Sequence, residues 1–223
     1  MKIADSISKL KISSFRAFDV RFPTHLTLAG SDAVHTDPDY SCAYLIIGLE
    51  GSSVEGHGFT FTIGRGTDVV QHCIEEFKFL VLGQSLGEIF GDFGCFWKKL
   101  TCNSQLRWLG PEKGVVHLAV AAIVNALWDL WAKLEEKPLW KLLSDMTPSE
   151  LVDLVDFRYL TDAMTREEAL TLLESNAATK SQREKTILMH GVPAYITSAG
   201  WMGYRDEKIK ELCSQCLSDG WNK

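Results

Sequence analysis

Residues 115–134 form a run so continuously apolar that, wound as a helix, it is apolar around nearly its whole circumference. Such a helix has to be covered on every side, so the rest of the chain must supply a sheet and further helices to wrap it. Its few polar positions, His117, Asn125, Asp129 and Lys133, break the run too often for a bilayer span, and no membrane role is expected. They recur at multiples of four, which makes a slowly drifting stripe that must find hydrogen-bond partners wherever it is buried. Pro111 and Glu112 favour the helix start, and Pro138 its stop. The 223 residues suffice to bury a core around such a helix without disulfides or a structural metal.

Upstream, residues 18–22 alternate apolar and polar side chains and stop at Pro23, predicting a strand that buries the Phe18, Val20 and Phe22 face. Residues 42–49 are nearly all apolar, residues 50–53 have turn chemistry, and residues 56–62 are rich in Phe and Thr. Those two segments predict a hairpin, and all three a three-stranded antiparallel meander. The period becomes helical from Thr67, over residues 67–82 and 88–100, with Gly83 and Gly87 as breakers. Beyond Pro148 the pattern predicts a strand over 151–160 and a capping-box helix opening at Thr165. A solvated helix or linker over 174–185, a strand over 193–198 and a helix over 206–217 with a glycine stop at Gly220 complete the reading.

Residues 24–39 form a loop longer than packing needs, and long ordered loops are more often functional than accidental. Within it and at its end, Gly30, Ser31, Asp32, His35, Asp37, Asp39 and Tyr40 gather carboxylates, an imidazole and a phenol around a glycine that lets backbone approach a ligand. The competing reading is a turn-rich loop in which Asp and Ser cap their own backbone. No metal site is expected there, because nothing holds the carboxylates on a rigid element. Gly64-Arg65-Gly66-Thr67-Asp68 reads as a tight turn, since Val69 spoils a dinucleotide fingerprint. Cys213 and Cys216 read as thiols on a helix face without a second pair at zinc spacing. The segment 107–113 is explained as well by packing and capping as by binding. No local hydrolase, nucleotide or zinc-peptidase signature is present.

Acidic side chains outnumber basic ones 29 to 23, so the net charge of −6 has the wrong sign for a nucleic-acid partner. Six cysteines are too dilute for a disulfide scaffold, which predicts reduced thiols inside a cell. The opening Lys2, Lys9, Lys11, Arg16 and Arg21 among serines resemble a transit peptide, while Asp5 and Asp19 argue against one. The expected location is therefore mitochondrial or cytoplasmic.

The buried run from Ala121 to Lys133, followed by Lys137-Pro138-Leu139-Trp140, resembles the capping domain of the enolase superfamily, mandelate racemase branch. Asp19-Val20-Arg21-Phe22-Pro23-Thr24, Asp37-Pro38-Asp39-Tyr40-Ser41, Gln105-Leu106-Arg107-Trp108-Leu109-Gly110 and Asp156-Phe157-Arg158-Tyr159 add to the resemblance. So do Pro193-Ala194-Tyr195 and Gly200-Trp201-Met202-Gly203-Tyr204, and together these runs are similar to the L-fuconate dehydratases of that branch.

The resemblance implies an α+β fold, with a capping domain over residues 1–148. Residues 149–223 would hold a family-specific insertion and the truncated start of a (β/α) barrel. It implies a magnesium (Mg2+)-dependent hydro-lyase that takes the proton alpha to an acid-sugar carboxylate, L-fuconate, and eliminates water, and it allows a homo-oligomer. By position, Gly30, Ser31, Asp32 and Tyr40 correspond to the family's substrate contacts. The family's Lys-x-Lys motif, carboxylate metal ligands and Asp–His pair lie on downstream barrel strands and have no counterpart here. Neither a catalytic residue, a metal ligand nor a cofactor is therefore expected in this chain, and Lys223 reads as a helix-to-strand turn residue. Three functions remain open: a truncated dehydratase inactive alone, an interaction isoform pairing with full-length subunits, and a half completed by a second polypeptide.

Overall fold

The computed structural model describes residues 3–110 and 114–221. Three strands, β1 (Ile12–Arg21), β2 (Ser41–Leu49) and β3 (Glu55–Thr62), form one antiparallel sheet in the order β1-β2-β3. Eleven α-helices are described: α1 (Asp5–Ser8), α2 (Thr67–Glu76), α3 (Lys78–Val81), α4 (Leu86–Phe90), α5 (Phe93–Thr101) and α6 (Val115–Leu134), then α7 (Leu139–Asp145), α8 (Pro148–Asp153), α9 (Arg166–Ser175), α10 (Lys180–His190) and α11 (Asp206–Ser218). This is the expected α+β meander with helices.

The apolar run is helix α6, long and apolar enough to cross a membrane by length and composition, yet buried here as the core helix. One face carries Ala122 and Ala126 against β3, where Gly56 and Gly58 allow the backbones to close up. A Cβ on Gly58 would lie 2.1 Å from the Ala122 carbonyl oxygen and 2.3 Å from the Ala126 nitrogen. Trp128 and Trp131 stack at 5.4 Å, and Phe90 closes to 4.4 Å of the Trp131 ring. The helix ends in a Schellman arrangement with Glu136 at φ 54, where Lys137 N–H donates to the Ala132 carbonyl at 3.0 Å and Glu136 N–H to that of Lys133 at 3.1 Å. The predicted start at Pro111 and Glu112 lies outside the described residues, as does Lys223.

Three residues of the polar stripe of α6 find their partners on the exposed edge of β3, while the ring of the fourth, His117, meets Trp97 edge-on at 5.9 Å. Lys133 Nζ donates to the Glu55 carbonyl at 2.9 Å, Asp129 Oδ2 accepts from His57 N–H at 2.7 Å, and Asn125 Nδ2 donates to the Phe59 carbonyl at 3.4 Å. Four helical residues rise about 6 Å and two strand residues about 6.7 Å, so a helix antiparallel to a strand stays in step with its outward backbone groups. Lys133 also pairs with Asp129 at 2.6 Å. The side-chain ladder occupies an edge that would otherwise be open to another chain.

Several expectations change. Strand β1 is longer than residues 18–22, and its apolar alternation marks the uncovered side: Phe18 is 42% and Phe22 53% exposed, while Ile12 and Phe15 are buried. A register shift between Ile12 and Ser14 moves the buried phase by one residue, which alternation alone hides. The helical stretch 67–82 breaks at Phe77, and 88–100 is replaced by α4 and α5. Residues 151–160 are not a strand. Thr147 caps α8 with Pro148 at the first turn and Glu150 closing a capping box, and a 3-10 turn covers Phe157–Tyr159. Residues 193–198 hold no strand either, since a strand needs a ladder partner and no described strand lies beside them. The capping-box helix is α9, and the polar tract over 174–185 resolves into its last residues, a 3-10 turn over Ala177–Thr179 and the exposed α10, while helix α11 is followed by Gly220 at φ 90 as expected.

Candidate functional site

The loop between β1 and β2 is closed at its base by pairs from its two limbs. Phe22 N–H donates to the Tyr40 carbonyl at 2.7 Å, and Thr24 Oγ1 donates to the Pro38 carbonyl at 2.7 Å while accepting from Tyr40 N–H at 2.9 Å. His25 Nδ1 contacts the Asp39 carboxylate, which holds Asp39 below the usual carboxylate range.

At the loop's far end Gly30 is buried at φ 80, a conformation that favours glycine. Its carbonyl accepts from the Tyr40 hydroxyl at 3.1 Å, and a Cβ there would overlap that hydroxyl at 2.0 Å. The Tyr40 ring meets Phe61 edge-on at 5.4 Å. Ser31 is only 2% exposed. Its Oγ donates to the Leu28 carbonyl at 2.7 Å and accepts from Gly203 N–H at 2.8 Å. Asp32 is exposed, and its Oδ1 accepts from Val34 N–H and His35 N–H at 2.7 Å each. The structure thus joins Gly30 to Tyr40, exposes Asp32 and places Ser31 beneath the loop. Thr24 and Gly203, which the sequence named only within runs of the family resemblance and gave no site role, hold this arrangement; Gly203 lies 172 positions from Ser31, so no local pattern could pair the two.

Hydrogen bonds from His35 and then Val34 lower the Asp32 pKa. A carboxyl whose folded pKa is depressed contributes its stabilisation fully above the unfolded value, about 3.9, and loses it as pH falls through the lower folded value. The turn at residues 32–35 is therefore expected to stay ordered at pH 5 and to loosen below about pH 4. Amide shifts of Val34 and His35 followed by NMR during acid titration test this; a turn that loosens by pH 5 would contradict it.

Beside the loop, the uncovered sheet face forms an apolar groove of about 770 Å³ lined by Val20, Phe22, Tyr40, Tyr44, Phe59 and Phe61. Tyr44 Oη and His57 Nδ1 hydrogen-bond at 2.9 Å on the same face. The Gly64–Thr67 segment is the expected turn: Gly64 and Gly66 have φ 103 and 88, and Thr67 Oγ1 donates to the Gly64 carbonyl at 2.8 Å. Cys213 and Cys216 lie on α11, and all six cysteines are free.

A meander wrapped on a core helix, with a closed loop beside a groove, is the architecture of a capping domain. Residues 23–144, more than half of the chain, match the family "Mandelate racemase / muconate lactonizing enzyme, N-terminal domain", and the chain belongs to that family. It is similar to Mitochondrial enolase superfamily member 1 of Bos taurus, 54% identical over 96% of this chain and 48% of the relative. The crystal structure of the human protein of that name superposes with a TM-score of 0.93 at 51% identity, over 97% of this chain and 49% of that one. L-galactonate dehydratase of Hypocrea jecorina is 49% identical over 96% of this chain and 48% of its own. L-talarate/galactarate dehydratase from Salmonella typhimurium LT2, solved with Mg and L-lyxarohydroxamate, shares the fold at a TM-score of 0.60 and 18% identity, over 99% of this chain and 44% of that one. The chain is thus a member of the enolase superfamily with acid-sugar dehydratase relatives, and it spans about half the length of the curated relatives it matches.

The described residues do not fit a magnesium ion. Among them no three His, Cys, Asp or Glu side chains are gathered to hold a metal. In the loop, Asp32 caps two backbone amides and Asp39 is engaged by His25, which leaves no set of oxygens in octahedral disposition.

Proposed function

We propose that this chain is the substrate-capping half of an acid-sugar dehydratase acting on L-fuconate, with the base and the metal ligands supplied by the C-terminal half that its relatives contain. Residues 1–148 are taken as the capping domain and 149–223 as the insertion leading toward a barrel. The observation that supports this reading most is the loop itself, closed at its base and presenting Asp32 beside the Gly30–Tyr40 contact. Both amide bonds fall on Asp32 Oδ1, and no described residue donates to Oδ2, which is available to a sugar hydroxyl. Gly30, Ser31, Asp32 and Tyr40 then form the lid over the substrate. Holding the acid sugar under such a lid excludes water and fixes its alpha proton for a base below. The names of the relatives support a mitochondrial location, with the cytoplasm as the alternative.

The test is a fusion of this chain to the C-terminal half of the human relative, assayed for L-fuconate dehydration. Asp32→Ala and Tyr40→Phe are each expected to raise KM by roughly 5- to 150-fold, the ratio that a lost polar contact leaving its partner buried and unpaired produces. Unchanged KM and kcat in both variants would remove the loop from the site.

A second reading, a non-catalytic chain that pairs with full-length subunits, is favoured by the exposed Phe18, Phe22, Phe59 and Phe61 on the uncovered sheet face. Light scattering of the chain mixed with a full-length relative separates the two: a stable heteromeric species without a gain in activity supports pairing.

A further inference from the structure

We propose that Ser31 is a positioning residue, whose hydroxyl latches the β1–β2 loop onto the turn at residues 201–204 and so sets where Asp32 and Tyr40 stand. The inference rests on the reading of that loop as the lid over an acid sugar. Three observations carry it. The Ser31 hydroxyl uses its one proton on the Leu28 carbonyl at 2.7 Å and accepts from Gly203 N–H at 2.8 Å, so its donor and one of its two lone pairs are engaged within the protein. A second strand of the same contact runs through the backbone, where Met202 N–H donates to the Ser31 carbonyl at 3.3 Å. Finally, a side chain at position 203 would force the contact to shift: a Cβ there would lie 2.7 Å from Ser31 Oγ and 2.8 Å from Leu28 Cβ.

The latch also holds a backbone that does not favour itself. Leu28 sits at φ 57, a left-handed conformation that L side chains rarely adopt and that persists only where surroundings impose it. Both the Ser31 N–H, at 3.2 Å, and the Ser31 hydroxyl bond the Leu28 carbonyl. Gly203, packed against Leu28 and bonded to the Ser31 hydroxyl, thus holds the residue whose two bonds fix the Leu28 carbonyl, and Gly30, two residues on from Leu28, carries the carbonyl that positions the Tyr40 hydroxyl. The turn itself is braced by Tyr204 N–H on the Trp201 carbonyl at 3.0 Å. Loop and turn are thus one unit although their sequences lie far apart, and the turn becomes a wall of the site.

Hydrogen exchange on the 223-residue chain tests the latch without any substrate. Ser31→Ala and Gly203→Ala are each expected to speed exchange of the amides at residues 28–36 by about tenfold, leaving β2 and α6 unchanged. Ser31→Thr, which keeps the hydroxyl, is expected to restore slow exchange, and Gly200→Ala, whose Cβ meets nothing within 4 Å, to have no effect. In the fusion to the human relative's C-terminal half, Ser31→Ala is expected to raise KM while kcat at saturation holds, because bound substrate pulls the loop closed. A residue needed only for folding would lower the active fraction and leave KM alone. Unchanged loop exchange in both Ser31→Ala and Gly203→Ala overturns the proposal, as does faster exchange spread evenly through the sheet. If the latch behaves as stated while Asp32→Ala leaves KM unchanged, it is the lid reading that fails.

Discussion

Gly58→Ala is expected to destabilise the fold by about 3 kcal/mol, the upper part of the range for overpacking a well-packed interior. The new methyl would meet the Ala122 carbonyl and the Ala126 backbone of α6, neither of which is the movable end of a side chain. Relief requires the central helix to lift from β3, which separates Ala122 and Ala126 from the sheet and strains the whole core at once. The measurement is the urea midpoint at constant m-value. Gly200→Ala is the control, since its Cβ enters open space. A loss below about 0.5 kcal/mol at Gly58, the scale of an ordinary surface substitution, would mean that the helix-to-strand approach is looser than described.

Asp129→Ala is expected to cost about 2 kcal/mol and, in addition, to make the protein self-associate. Its carboxylate is the only described acceptor for His57 N–H and the ion-pair partner of Lys133. Removing it leaves a part-buried amide without a partner and breaks the middle rung of the ladder over the β3 edge. An edge released in this way is a template for another strand. Asp129→Asn keeps an acceptor oxygen and loses the charge, so it should lie between wild type and alanine in urea and remain monodisperse by light scattering. Equal behaviour of the two variants would show that charge alone, and not the bond to the strand, matters at this position.

Much of this fold was legible in order along the chain. The turn residues between β2 and β3, the glycine at 83, the capping box at Thr165 and the apolar circumference of α6 are local signals, and each stands where expected. A second capping box, Thr147-Pro148-Ser149-Glu150, was equally local and was overshadowed by the apolar residues that follow it. The loop was recognisable as a candidate from its composition, and its glycine from the need for a left-handed backbone. Which atoms its polar groups engage was not: Asp32 satisfies its own turn, whereas Ser31 reaches a residue 172 positions away.

By itself, then, the sequence determined a three-stranded meander, a long apolar helix at the core, though not that Leu118, Asn125 and Lys133 on it stay exposed, and a loop rich enough in polar groups to meet a ligand. These follow from periodicity, turn chemistry and burial, which act over a few residues. Tertiary structure alone decided that the aromatic face of β1 is the uncovered one, because a register shift near Ile12 changes the phase of everything after it. It also decided that the polar stripe of α6 serves the edge of β3, because a match of about 6 Å steps between helix and strand exists only once the two are laid side by side. The latch between Ser31 and Gly203 belongs to the same class. Each half was visible in the sequence by itself, but nothing local pairs them, and their pairing is set by the fold of the chain between them.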